Sequence, residues 1–501
     1  IRRYFAGRKE ILERATTEES YRRIVDSLRH PLQQKLVAEK PDTNRLILAG
    51  PGSGKTRVIV HRIAYLVRVL REAPASILVL AFNRGAAWEI RQRLRHLIGS
   101  EAGFVTVLTY HALALRLTGS SLAGLAEQGD EAQAKAALEG ILENATALLQ
   151  GTEELAAEGD GDALRERLLA GYRHILVDEY QDIDQRQYAL IGALAGRQTQ
   201  DREARLTLLA VGDDDQNIYS FRDTSNDFIH RFQTDYQAKV DYLVENYRSS
   251  RHIIEAANTV IAANRERMKV DHPIRINHAR QNEAAGGRWQ KLDALAQGRV
   301  HIIAVPADPV GQAAVAMAEM QRLKALSPDS DWSDFAILAR NRATLEPLRA
   351  WCHRENVGYR LNESDARGGP KFYQTREASW LLDLLRGKPG RCLRPGSLSR
   401  WFHGRFGSLS QENPYLAQLG LFIDELDGIW GDVAIPASLA IDELYEFSAD
   451  VALNEKCRLT LSTVHGAKGR EFRHVLILDG GDWKRPSADE RRLYYVGMTR
   501  A

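Results

Sequence analysis

The sequence predicts an α/β protein: two parallel sheets covered by helices, each interrupted by a short, mostly helical insertion. Three observations carry this. Short apolar runs alternate with helical stretches from Arg45 to Gly212, and again between 300 and 480. These runs are rich in Val, Ile and Leu, as strands buried on both faces are. Two stretches, 120–170 and 376–456, interrupt the alternation and read as helical.

Taken in order, residues 1–30 are charged and form a helical lead-in. A strand ending at Ala49 is followed by a glycine-rich loop and the helical run RVIVHRIAYLVRVL. ILVLAF (77–82) is a second strand, and an arginine-rich helix follows from Ala86 to Ile98, with Arg91, Arg93 and Arg95 expected on a solvated face. FVTVLTY ends at Tyr110; HILVD (174–178) and LTLLAVG (206–212) complete the first half. In the second half VHIIAVPA (300–307), FAILAR (335–340) and HVLILDG (474–480) read as strands, with a hinge expected near residue 250.

The bulk numbers bound the function. A chain of 501 residues exceeds one core. With 44% hydrophobic and 27% charged residues it is globular rather than disordered. A net charge of +2 means that any nucleic-acid contact uses local basic grooves. Cys352, Cys392 and Cys457 form no CxxC pair, the last expected in buried packing, which fits a reduced cytoplasmic setting. No apolar run is long enough to span a membrane, and the histidines lack metal-ligand spacing. The chain starts without Met and ends in a helical run, so further flanking domains of the same polypeptide are expected.

AGPGSGKT (49–56) carries the first chemistry. Ala49, Gly50, Pro51, Gly52, Ser53 and Gly54 let backbone N–H groups turn toward a phosphate, and the helix opening with Lys55, Thr56 and Arg57 adds its positive end. Lys55 can reach β- and γ-phosphates and Thr56 can bind Mg²⁺. The pattern normally opens on Gly, and Ala49 is a small departure. ILVDEYQD supplies the partner carboxylates: Asp178 for Mg²⁺ and Glu179 to activate water. Gln216, in GDDDQNIYSFR, can sense a γ-phosphate, while Tyr219 and Phe221 offer flat faces. In NYRSS, Tyr247 can stack on adenine and Arg248 can bind phosphate bidentately.

Together these segments resemble the superfamily 1 DNA helicases, the UvrD/Rep/PcrA-like group. HPLQQKLVA, AGPGSGKT, LAFNRGAA, TYHALA, VDEYQD, GDDDQNIYSFR, NYRSS, TVHGAKGREF and YYVGMTRA match its motifs in order and span nearly the whole chain. The resemblance implies two RecA-like P-loop domains, with ATP and Mg²⁺ bound between them and single-stranded and duplex DNA as partners. It implies that Gln34 reads adenine, Glu471 approaches the ribose, and Arg500 is an arginine finger with Arg248 as companion. It implies that Phe82, Asn83, Tyr110, His111, Tyr219, Phe221, Arg222 and His465 line the DNA path, with 3′-to-5′ movement in the bacterial cytoplasm during repair or recombination.

The implied domains are a lead-in (1–30), a first domain (31–112 and 171–250) with insertion 113–170, and a second (251–385 and 457–501) with insertion 386–456. The lead-in also resembles the approach to the UvrD-like region of large bacterial RecQ-type proteins. Arg84 and Gly85 stand where the group often has lysine, and Arg84 is expected to take over a phosphate contact. Phe221 replaces a tryptophan. Both insertions look shortened, so translocation is a firmer expectation than strand separation. Two other readings remain open: an RNA-directed helicase, and a nucleotide-gated DNA clamp, which has no need of Glu179 or a finger.

Overall fold

The computed structural model describes residues 17–28, 30–120, 131–151, 161–199, 205–219, 227–305, 308–361, 372–387, 392–450, 458–481, 483 and 487–501. The first sheet holds β1 (Arg45–Ala49), β2 (Ile77–Ala81), β3 (Thr106–Thr109), β4 (His174–Val177), β5 (Thr207–Gly212) and β6 (Lys239–Leu243). The order is β3-β2-β4-β5-β1-β6, with every pairing parallel. Side chains alternate between two buried faces. Leu46, Leu48, Leu78 and Val177 point to one core, and Ile47, Ala49, Val79 and Leu176 to the other. Burial on both faces explains the continuous apolar runs. Parallel strands also bring every strand's C-terminal end to one edge, where the loops after β1, β2, β4 and β5 meet.

The second sheet holds β7 (Phe335–Ala339), β8 (Tyr359–Leu361), β9 (Leu459–Thr463) and β10 (His474–Leu478). Its order is β8-β9-β7-β10, again all parallel. The strand expected at 300–307 is not formed: residues 300–305 carry no regular structure, and Ile302 is 89% exposed. Residues 306 and 307 lie outside the described residues. The run has strand-forming side chains, but among the described residues no strand pairs with it, and a strand needs a partner for its backbone groups.

Helices fill both interruptions: Glu131–Gln150 and Gly161–Leu168 in the first, and Pro395–Phe406, Pro414–Trp430 and Ala437–Asp450 in the second. The second group has its own core, with Phe402, Phe422 and Leu444 buried beside Leu381 and Leu385. Helix Arg376–Arg386 therefore joins this helical module, and the boundary expected at 385 falls inside its core. Among the described residues no helix is long and apolar enough to cross a membrane.

The arginine-rich helix, Arg84–Ile98, corrects another expectation. Arg93 is exposed and pairs with Glu89 one turn away. Arg91 and Arg95 are not solvated. Arg91 pairs with Glu443 at 3.2 Å, and Arg95 donates to the carbonyls of Asp427 and Gly428 at 2.8 and 3.0 Å. Their partners lie more than 300 positions away in sequence, on the helical module. Arg84, expected to contact a phosphate, is held by the same module instead: it pairs with Glu425 and lies over the Phe447 ring.

Candidate functional site: a nucleotide cleft with an aromatic path beside it

The glycine-rich loop leaves the buried end of β1. Gly52 and Gly54 have φ of 65° and 83°, a conformation that costs an L side chain about 1 kcal/mol or more. Gly54 caps the helix Lys55–Arg68, so that helix's free N–H groups face the loop. Other segments hold the loop in shape. Ser53 Oγ donates to the Gly50 carbonyl at 2.6 Å, Asn246 Nδ2 to the Pro51 carbonyl at 2.8 Å, and the Tyr247 N–H to the Gly52 carbonyl at 2.9 Å. Gln33 Nε2 reaches the Ser53 carbonyl at 2.8 Å. Gln33, not the expected Gln34, is thus the buried glutamine on the loop, and Gln34 is half-buried one position on. One residue of register on a helix turns a side chain by about 100°.

Lys55 Nζ lies 3.3 Å from Glu179 Oε2. Glu179 follows β4 in a left-handed conformation, φ 49° and ψ 45°, a strain typical of functional turns. Burial opposes its charge, but Lys55, Lys468 and the Gln181 amide outweigh burial and hold the carboxyl well below its ordinary range. Asp178 behaves oppositely: burial and then the Glu179 charge push it up. Two adjacent carboxyls are thereby driven apart, one a carboxylate and the other in need of a counter-charge.

Cations gather opposite them. Arg500 Nη2 donates to Gln216 Oε1 at 3.0 Å, and burial, then the charge of Arg248, lower the Arg500 pKa to about 10. Arg248 pairs with Glu471 and donates to the Thr499 carbonyl, while its Nε is buried with no partner. Lys468 Nζ donates to Asp182 Oδ1 and to the Gln216 carbonyl, each at 2.6 Å. A polyphosphate fits this arrangement, because it would relieve the repulsion between Arg248 and Arg500 and fill the orphaned donor. A divalent cation fits at Asp178, where burial leaves a carboxyl short of positive charge. Arg57 faces outward and donates to the Ser27 carbonyl at 2.8 Å.

The aromatic path adjoins the cleft. Phe82 and Tyr219 stack at 5.7 Å with their planes 21° apart, and Tyr219 meets His465 at 6.0 Å. Lys468 Nζ lies 5.0 Å from the Tyr219 ring centroid. Asn83 caps the arginine-rich helix, accepting from the Ala86 N–H at 2.8 Å, and His111 is exposed. Tyr110 does not belong to the path: it is 1% exposed and packs in the first sheet's core. It opens the helix after β3, and only its neighbour His111 faces out. Phe221, Arg222 and Cys457 lie outside the described residues.

With this geometry in place, similarity to known proteins carries weight. Residues 33–222 match the family described as AAA domain, and residues 458–501 match the UvrD-like helicase C-terminal domain. Both matches, and the relatives below, make the chain similar to the UvrD-like helicases of superfamily 1. Over 94% of its length it is 28% identical to the ATP-dependent DNA helicase UvrD2 of Mycobacterium tuberculosis, covering 77% of that protein. It is 27% identical to UvrD1 of the same organism, over 72% of this chain and 52% of the relative. PcrA of Staphylococcus epidermidis is likewise 27% identical, over 68% and 51%. The chain thus spans about half the length of UvrD1 and PcrA. In this UvrD-like chain Gln33, Asn246 and Lys468 take part without having been singled out from sequence. Asn246 and Lys468 lie inside the quoted motifs NYRSS and TVHGAKGREF, so the signal was present.

Proposed function

We propose that the chain is an ATP-dependent DNA helicase or translocase. It hydrolyses ATP to step along single-stranded DNA in the 3′-to-5′ direction and to separate duplex DNA, in bacterial cytoplasmic repair or recombination. The observation that carries the reading is Lys468. Its ammonium contacts Asp182 and Gln216 at the nucleotide cleft and also lies over the Tyr219 ring of the aromatic path. One side chain thus links phosphate chemistry to base stacking. The relatives named above, each an ATP-dependent DNA helicase, support the same reading.

The expected domain division assigns the cleft to residues 31–112 and 171–250 on one side and 251–385 and 457–501 on the other. Lys55 and the loop N–H groups bind the phosphates. Glu179, kept ionised, orients a water and takes its proton as the water oxygen attacks the γ-phosphorus and the bond to the departing ADP oxygen breaks. Arg500 and Arg248 stabilise the charge that develops. Thr56 and Asp178 would hold Mg²⁺, which would supply positive charge against the phosphates. Flat rings of Phe82, Tyr219 and His465 grip bases without regard to sequence.

The test is strand separation of duplexes carrying a 3′ or a 5′ single-stranded tail, in DNA and in RNA, with ATP and Mg²⁺. The reading predicts activity on 3′-tailed DNA alone. ATP-dependent binding without turnover would favour the clamp, and preference for RNA would move the substrate class.

A further inference from the structure

We infer that Lys269 is a positioning residue for the ATP hydrolysis proposed above: it fixes the Asp213 carboxylate, which holds Gln216 with its carbonyl oxygen turned toward Arg500. The inference rests on that reading of the cleft. Lys269 is 1% exposed and sits outside every motif that the sequence singled out. Its ammonium pairs with Asp213, which is fully buried, and with Asp215 at 3.0 Å. Arg267 adds a second cation on Asp215 at 2.9 Å, and the Met268 N–H binds Asp214 at 2.6 Å. Asp213, Asp214 and Asp215 lie as close together as metal ligands would. The cation among them is the protein's own.

Asp213 is a junction. Its backbone N–H donates to Gln181 Oε1 at 2.8 Å, and Gln181 Nε2 donates to Glu179 Oε2 at 2.6 Å. Its Oδ2 accepts from Gln216 Nε2 at 2.5 Å, and Gln216 Oε1 accepts from Arg500 at 3.0 Å. This orientation of the glutamine is forced. A carboxylate only accepts and a guanidinium only donates, so one amide orientation serves both. The ordering therefore requires that Asp213 stay a carboxylate. Burial works against that charge, and Lys269, with help from Lys55 and the Gln216 hydrogen bond, more than offsets it. Without Lys269 the buried carboxyl takes a proton and becomes a donor. Gln216 then turns its amide, and N–H groups face the Arg500 guanidinium.

The test is steady-state ATP hydrolysis with Mg²⁺ by wild type, Lys269→Met and Lys269→Arg, each also made with Arg500→Ala. We expect Lys269→Met to lower kcat by about 10²-fold, the loss that a misplacement of about 1 Å produces, with KM for ATP unchanged. Lys269→Arg should restore most of the rate. In the Arg500→Ala background Lys269→Met should cost little more, because the two residues act in one chain. A purely structural role would lower stability and leave kcat per folded molecule intact; that result, or additive losses, would overturn the inference.

Should Lys269→Met fail to fold, Asp213→Asn leaves Lys269 paired with Asp215 and frees Gln216 to turn. It should lose about tenfold in kcat at constant KM, and a wild-type kcat would overturn the inference. Absence of hydrolysis by the wild type would sink the proposed function itself. Wild-type turnover with an undisturbed Lys269→Met would sink this inference alone.

Discussion

Two seams join distant parts of the chain, and both set arginine against carboxylate and carbonyl oxygen. In the nucleotide cleft, Arg248 meets Glu471, Arg500 meets Gln216, and Lys468 meets Asp182. On the outer seam, Arg84 meets Glu425, Arg91 meets Glu443, and Arg95 caps the carbonyls of Asp427 and Gly428. In the cleft Lys55, Arg248, Arg500 and Lys468 crowd together, and the charge of Arg248 works against that of Arg500. The outer seam has surplus carboxyl. Burial pushes Glu425 and Glu446 up to about 7, with the Glu443 charge adding to both. Phe447 and Trp430 cover Arg84 and Arg91 at 5.0 and 5.7 Å. Cations in the cleft can exchange partners for phosphate, whereas those on the outer seam are closed over and serve packing. Residue type alone does not assign a role; what surrounds the charge does.

Substitutions can break or sharpen this contrast. The largest effect is expected for Lys55→Ala, which should cut ATP turnover by about 10³-fold; normal turnover would remove the loop from the chemistry. Glu179→Gln should keep ATP binding and lose turnover by about 10²-fold or more, since shape persists without basicity. Nucleotide-binding titration beside a phosphate-release assay separates the two. A wild-type rate would require another base.

Matched arginines on the two seams give the sharpest comparison. Arg500→Ala should lower kcat by about 10²-fold with little change in unfolding midpoint. Arg91→Ala strands Glu443, buried at 5% exposure, and should cost about 3 kcal/mol in denaturant unfolding. Its turnover per folded molecule should stay normal. Swapped outcomes would dissolve the distinction between the seams.

The smallest effect is a pH dependence of the outer seam. Glu425 has its folded pKa raised to about 7 by burial, from 4.5. Between these values the folded state binds the extra proton, so stability falls as pH rises through the window. Glu425→Gln lacks the ionisation. Relative to wild type it should be more stable at pH 8 than at pH 5 by about 2–3 kcal/mol. A difference that does not change with pH would mean that Glu425 is charged throughout.

Much of the cleft was legible because parallel strands send their ends to one edge. A motif after β1, another after β4 and a third after β5 had to meet, so Lys55, Asp178, Glu179 and Gln216 could be paired from sequence. Arg248 and Arg500 followed from the family's motif order. What escaped depended on facing or distance. Gln33 and Gln34 differ only by helix phase, and Tyr110 and His111 only by which neighbour turns inward. Arg91 and Arg95 looked solvated because their partners are far along the chain. Lys269 had no local signal, since its meaning comes from aspartates 54 to 56 positions away. The 300–305 run has strand chemistry without a strand to join.

The account's central claim is that one chain couples phosphate chemistry to a path for single-stranded DNA. Steady-state ATP hydrolysis by residues 1–501, measured with and without single-stranded DNA, tests it most directly. The account predicts hydrolysis that rises strongly when DNA is added. Turnover indifferent to DNA would contradict the coupling through Lys468 and Tyr219.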